Sequence, residues 1–111
     1  MNNGTDFELF CVKILQKNGF NNIELTKGSG DQGVDIFAQK DGIKYAFQCK
    51  CYSNKLGNTP VQEILAGKSM YKCHVGVVIT NNFFTNGAKE LADATGILLW
   101  DRDKLLEMMN N

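Results

Sequence analysis

VDIFAQKDGIKYAFQCKCY, residues 34–52, is the stretch from which the rest of the chain can be ordered. Residues 34–39 and 44–52 have the β-branched and aromatic content of strands. Asp41-Gly42 between them is a strong hairpin signal, because a type I′ turn needs positive φ at both central residues. A two-residue turn sets the register, so that Lys40 faces Ile43, Ala38 faces Tyr45, Ile36 faces Phe47 and Asp35 faces Gln48. Side chains of such a pair stand roughly 4.5 to 5.5 Å apart at Cβ. Lys50 falls on the same face, opposite Gly33, whose missing side chain is expected to leave room beside the ammonium. The other face carries Val34, Ile36, Ala38, Tyr45, Phe47 and Cys49, an apolar set suited to packing on helices.

Working outward, TDFELFCVKILQKNGF (residues 5–20) repeats Phe7, Phe10, Cys11, Ile14 and Leu15 at helical spacing and stops at Asn18-Gly19. A short strand is expected over residues 22–26 and a loop over 27–31. Thr59-Pro60-Val61-Gln62 announces a second helix, with Thr59 as N-cap, Pro60 at the first helical position and Gln62 closing a capping box. Its buried stripe is expected to be Val61, Ile64, Leu65, the stem of Lys68, and Tyr71. HVGVVIT (residues 74–80) is apolar through its middle, as in a strand covered on both faces. A helix over 85–95 ending at Gly96, a strand over 97–100 and a terminal helix capped by Asp101 and carrying Leu105, Leu106 and Met109 complete the chain. The order α-β-β-β-α-β-α-β-α describes an α/β fold, a central mixed β-sheet flanked by helices, in which the helix between the third and fourth strands makes a parallel crossover.

A chain of 111 residues, 43% of them hydrophobic, can bury one ordinary core, and no linker or shift in composition divides it. Residues 1–111 are therefore read as a single domain. No apolar run is long enough for a membrane span, and MNNGTDFELF lacks the basic-then-apolar order of a secretory signal, so no membrane partner and a cytoplasmic location are expected. Cys11, Cys49, Cys51 and Cys73 are read as reduced and mostly buried, since their spacing is not that of a zinc site. His74, at a strand start, is read as structural. The net charge is zero, but residues 44–72 carry Lys44, Lys50, Lys55, Lys68 and Lys72 against the single acid Glu63. Such a basic middle is either a solvated face or a surface for a polyanion.

An acid, an amide oxygen and a lysine converging on open volume are the parts that metal-assisted phosphodiester hydrolysis requires. Asp35 and the Gln48 carbonyl are hard oxygen donors suited to Mg²⁺, which binds few protein ligands. Lys50 can position water or offset the charge that builds up during attack. The alternative reading of the same three residues is a polar cluster on a solvated sheet face.

G-D-Q-G-V-D (residues 30–35), followed after the hairpin by F-Q-C-K (residues 47–50), resembles the catalytic domain of the Mrr-type restriction endonucleases. These belong to the PD-(D/E)xK nuclease superfamily, and Mrr-type members carry Gln where most relatives have Glu or Asp. The similarity extends through Phe7-Glu8, Asn18-Gly19-Phe20, the VGVVIT strand, Phe84-Thr85 and Ala88. It implies a restriction-endonuclease-like core and an endodeoxyribonuclease using Mg²⁺, with Mn²⁺ as a substitute. Asp35 would be the central metal ligand, Gln48 a second, the Cys49 backbone carbonyl a third, and Lys50 the water-orienting base or charge stabiliser. Glu8 matches a helix acid that reaches the metal through water. It also completes a capping box with Thr5, which is a purely structural reading. Asp31 matches the first acid of the family loop, in either a supporting metal role or a turn role.

DNA is the implied partner, with Lys44, Lys55, Lys68 and Lys72 against phosphates and a homodimer acting on both strands. Family enzymes commonly carry a recognition domain that these residues do not include, so a separate recognition domain or subunit is expected. The alternatives are a structure-selective nuclease, such as a Holliday junction resolvase or repair nuclease, and a non-catalytic DNA-binding module. A glutamate at position 48, as in most of the superfamily, is expected on this pattern to keep or tighten metal binding.

Overall fold

Among the residues described by the computed structural model, 4–27 and 33–110, helices and strands follow in the expected order. They are α1 (Gly4–Lys17), β1 (Asn21–Leu25), β2 (Ile36–Lys40), β3 (Ile43–Lys50), α2 (Asn58–Met70), β4 (Val75–Thr80), α3 (Asn86–Thr95), β5 (Leu98–Trp100) and α4 (Arg102–Met109). Asp41 and Gly42 have φ of 54° and 78°, both positive as the type I′ hairpin demands. The turn sets β2 against β3 antiparallel, with Lys40, Ala38 and Ile36 opposite Ile43, Tyr45 and Phe47. β1 extends the antiparallel side, while β3–β4 and β4–β5 are parallel, giving the order β1-β2-β3-β4-β5. The chain is thus α/β with a mixed five-stranded sheet.

Helices cover both faces, which is why the interior strand β4 is apolar at nearly every position. On one face Phe7, Cys11 and Leu15 of α1 and Leu105 and Met108 of α4 pack on Ile36, Phe47, Val77 and Ile79. On the other, Val61 and Ile64 of α2 and Ala88 and Ala92 of α3 pack on Ala46 and Val78. The expected ends of α3 are present. Thr85 caps it by accepting from the Ala88 N–H, and Gly96 ends it at φ 77°, a left-handed residue that glycine adopts without strain. Asp101 caps α4 through the Lys104 N–H.

Several local expectations are corrected by tertiary contacts. β1 spans Asn21–Leu25 rather than 22–26, with an irregular register between Asn21 and Glu24. α2 starts at Asn58 behind Gly57, and no side chain caps it, so Thr59 is not the N-cap. Leu56 bridges to Phe84 just before the helix and decides where the chain can turn into it. Pro60 still lies in the first turn, where its missing N–H has no intrahelical partner to lose. The buried stripe of α2 is Pro60, Val61, Ile64 and Gly67. Tyr71 lies past the helix end, edge-on to Phe37 with ring centroids 5.1 Å apart. In α4 the inward residues are Leu105 and Met108, while Leu106 and Met109 are exposed.

The correction that matters for chemistry is at the start of β2. One-to-one pairing ends at Ile36 opposite Phe47, and the Asp35 N–H also goes to the Phe47 carbonyl at 2.7 Å. Two residues therefore face one, as in a bulge, and the alternation of side chains breaks there. Val34 consequently packs with Ala46, Ile64 and Val78 on the α2 side rather than with Ile36 and Phe47.

Candidate active site

Asp35 is held at three points by its own backbone and side chain. Its N–H bonds Phe47, its carbonyl accepts from the Thr26 N–H at 3.0 Å, and its carboxylate Oδ2 accepts from the Cys49 N–H at 2.7 Å. Thr26 Oγ1 also donates to the Val34 carbonyl at 2.8 Å, so both sides of the preceding loop are tied together. Asp35 is thus fixed to the C-terminal end of β3 before anything binds.

Glu8 of α1 belongs to the same locality. Its carboxyl titrates above the ordinary glutamate range, first because of burial and then because of the negative charge of Asp35. The capping-box reading does not hold, because α1 begins at Gly4 and Thr5 is already helical. A folded-state pKa that is raised means the folded protein holds this proton more tightly than the unfolded chain, so stability declines as pH rises through that range. Glu8→Gln is therefore expected to leave the metal-free protein at least as stable as wild type at neutral pH, with the difference vanishing below about pH 4. Thermal melts of both proteins across that range check this, and identical pH dependence would remove the Glu8–Asp35 coupling. Cys49, between Gln48 and Lys50, turns its thiol into the α1-side core. There a hydrogen bond with Cys11 and burial hold its pKa well above the usual thiol value. Its side chain is a core residue, and only its backbone faces the site.

Gln48 and Lys50 approach the same strand end from the α2 side. Gln48 is 2% exposed, and its Nε2 donates to Glu63 Oε1 at 3.0 Å. Its Oε1 is buried and has no hydrogen-bond partner among the described residues. An orphaned acceptor of this kind costs about 1 to 3 kcal/mol, and native structures retain few of them. Among the described residues no three His, Cys, Asp or Glu side chains are grouped to hold a metal. A cation here would therefore rely on Asp35, an amide oxygen and a backbone carbonyl, and the unpartnered Gln48 oxygen fits that donor set. Lys50 is half-buried, with Nζ 5.8 Å from the Tyr52 ring centroid. With Tyr52, Lys55, Pro60 and Glu63 it lines a cavity of about 230 Å³.

Gly33 does not leave space beside Lys50, as the hairpin pattern implied. A Cβ on Gly33 would lie 3.0 Å from Glu63 Cβ and 3.2 Å from Gln48 Nε2. Its φ of 79° and missing side chain let the backbone at Gly33 itself lie against the Gln48–Glu63 pair. Glu63 is the nearby residue that sequence reading passed over, although it is the single acid in the basic run. Asp31 lies outside the described residues.

The lysines expected to meet phosphates are separated. Lys55 shares the cavity with Lys50. Lys44 lies six residues back along β3, roughly 20 Å at about 3.3 Å per residue, in a different cavity of about 520 Å³ with Tyr45, Tyr71 and Cys73. Lys68 packs near the start of β4, its Cβ against Gly76, and the Cys73 N–H returns to the Lys68 carbonyl, so Lys72 sits at that far end too. His74 is structural there, its Nδ1 accepting from the Lys44 N–H at 2.8 Å.

The chain as a whole resembles known proteins. The model of the Mrr_cat restriction endonuclease family matches residues 1–109. The type IV methyl-directed restriction enzyme EcoKMrr of Escherichia coli (strain K12) is 28% identical over 111 residues, an alignment covering 93% of this chain and 36% of the enzyme. The chain thus spans about a third of that relative. Among solved structures, the DNA modification-dependent restriction endonuclease AspBHI superposes with a TM-score of 0.74 at 17% identity, over 96% of this chain and 31% of that one. The restriction endonuclease MspJI, in complex with a 27-mer oligonucleotide, superposes with a TM-score of 0.72 at 19% identity, over 92% and 26%. These two likenesses establish the fold. With the family match across nearly every residue and the D…QxK motif at the end of β3, the chain belongs to the Mrr-type restriction endonuclease family, as a catalytic domain of the PD-(D/E)xK nuclease kind.

Proposed function

We propose that this domain is a Mg²⁺-dependent endodeoxyribonuclease, able to use Mn²⁺, that hydrolyses DNA phosphodiester bonds at the C-terminal end of β3. The observation that carries the reading is the buried oxygen of Gln48 that has no partner among the described residues, one residue before the Cys49 amide that holds the Asp35 carboxylate. Asp35, Gln48 Oε1 and the Cys49 carbonyl would hold the cation, with Glu8 reaching it through water. The bound metal would polarise a phosphate oxygen and lower the pKa of a bound water. Lys50 contributes a positive charge from the cavity side, where it orients the attacking water and stabilises the charge that develops on the phosphate.

Incubation of supercoiled plasmid with Mg²⁺ or Mn²⁺ tests this directly. Relaxed circles are expected with metal and none with chelator, and linear product would indicate two copies acting together. Linear duplex, methylated duplex and a four-way junction belong in the same panel, since the E. coli relative is methyl-directed by name. No metal-dependent cleavage of any of them would overturn the proposal.

On this proposal base reading falls to a further domain or subunit. DNA binding by these residues alone is expected to be weak and nearly sequence-independent. Its affinity should fall with salt at a slope of about −0.9 per phosphate neutralised. Lys50 and Lys55 make the local contacts, while Lys44, Lys68 and Lys72 require DNA that reaches the other end of the sheet. Binding measured by fluorescence anisotropy that stays constant from low to physiological salt would contradict this.

A further inference from the structure

We propose that Glu63 is a positioning residue that orients the Gln48 side-chain amide, so that its oxygen and not its nitrogen is presented to the cation. The inference rests on the metal-site reading above and deepens it. An amide side chain has nearly the same shape in both flipped states, so packing alone does not choose between them, and a hydrogen-bond partner must. Glu63 is such a partner. A carboxylate only accepts, and its Oε1 receives the Gln48 Nε2 at 3.0 Å. The buried Oε1 is left facing away from it without a partner among the described residues.

The placement of Glu63 is built into α2. Pro60, Ile64 and Gly67 of that helix are buried against the sheet, and position 63 follows Pro60 by three residues on the edge of the same stripe. Gly33 closes over the pair from the other side, within 3.4 Å of Glu63 backbone oxygen at its would-be Cβ. Lys50 and Lys55 line the same cavity as Glu63. The amide is thus clamped between a helix and a glycine.

The pair also accounts for glutamine in place of the usual acid. Exchanging Nε2 for a carboxylate oxygen would set two carboxylate oxygens about 3 Å apart, closer than like charges tolerate. The expectation that Gln48→Glu keeps or tightens metal binding is therefore reversed for this chain. Exchanging the two residues should restore the arrangement. In Gln48→Glu/Glu63→Gln the new amide at position 63 donates to the carboxylate at 48, whose second oxygen then points into the site.

The test is Mn²⁺ binding by water-proton relaxation enhancement, together with thermal melting of the metal-free proteins. Loss of an outer partner of a metal ligand lowers metal affinity about 10- to 100-fold, and that loss is expected for Glu63→Ala. Gln48→Glu alone should lose both Mn²⁺ affinity and melting temperature at neutral pH, and the double exchange should recover both. Glu63→Gln should fall between wild type and Glu63→Ala, because two amides can pair in either orientation. Unchanged Mn²⁺ affinity in Glu63→Ala, or a double exchange no better than Gln48→Glu, would overturn the role of Glu63 while leaving the metal site in place. Wild-type protein that binds no Mn²⁺ would overturn the metal-site reading and this inference with it.

Discussion

Lys50→Ala is expected to lower the rate of DNA cleavage by about 10²- to 10⁴-fold, the usual span for losing a positioned acid–base group. DNA and Mn²⁺ should still bind. The reason is geometric. Lys50 faces the cavity shared with Tyr52, Lys55 and Glu63, whereas the oxygens assigned to the cation come from Asp35, Gln48 and the Cys49 backbone. On the proposed mechanism, removing the ammonium would delete a charge that acts on the reacting phosphate and leave those donors in place. The fold should also survive, because Lys50 is the last residue of β3 and only half-buried. Single-turnover cleavage set beside Mn²⁺ affinity separates the two effects. A variant that cuts as fast as wild type would remove Lys50 from the chemistry.

Asp35→Asn should act on the opposite quantity. The new side chain keeps an oxygen for the Cys49 N–H, so the strand end is expected to hold its shape, but the negative charge is gone. Mn²⁺ affinity should fall by more than the roughly 10- to 100-fold typical of an outer partner, with cleavage lost at ordinary Mg²⁺. Raising Mg²⁺ should restore part of the Asp35→Asn rate and none of the Lys50→Ala rate. The charge of Asp35 also contributes to the raised pKa of Glu8, so its loss should bring Glu8 back toward the ordinary glutamate range. Carboxyl titration followed by NMR reads this without any metal. An unchanged Glu8 titration together with unchanged Mn²⁺ affinity would take Asp35 out of the site.

The D…QxK motif was readable because its parts lie on one hairpin, whose turn dictates register through two positive φ values. What happens at its open end was not. Alternation along a strand assigns Val34 and Ile36 to one face, but the Phe47 carbonyl takes the Asp35 N–H, and Val34 crosses to the other side. Helix ends were legible where the capping residue itself settles them, through a side chain at Thr85 and Asp101 and through a left-handed backbone at Gly96. They were misplaced at α2, where a bridge from Leu56 to Phe84, 28 residues apart in number, decides the start. Charge counting found a basic middle but could not divide it, because the length of β3 carries Lys44 to the far end of the sheet from Lys50.

By itself, then, the sequence determined the order of elements, the hairpin register as far as Ile36 and the parallel crossover, with Asp35, Gln48 and Lys50 as candidates on that hairpin. All of these follow from local dihedral preferences, hydrophobic period and short spacing along the chain. Only the tertiary structure decided which way the Gln48 amide faces, that Glu8 lies within electrostatic reach of Asp35, and that Glu63 stands beside Gln48. Those are contacts between side chains on different elements. Their energies depend on burial and on distances of a few ångströms, which exist only once two helices have packed on opposite faces of one sheet.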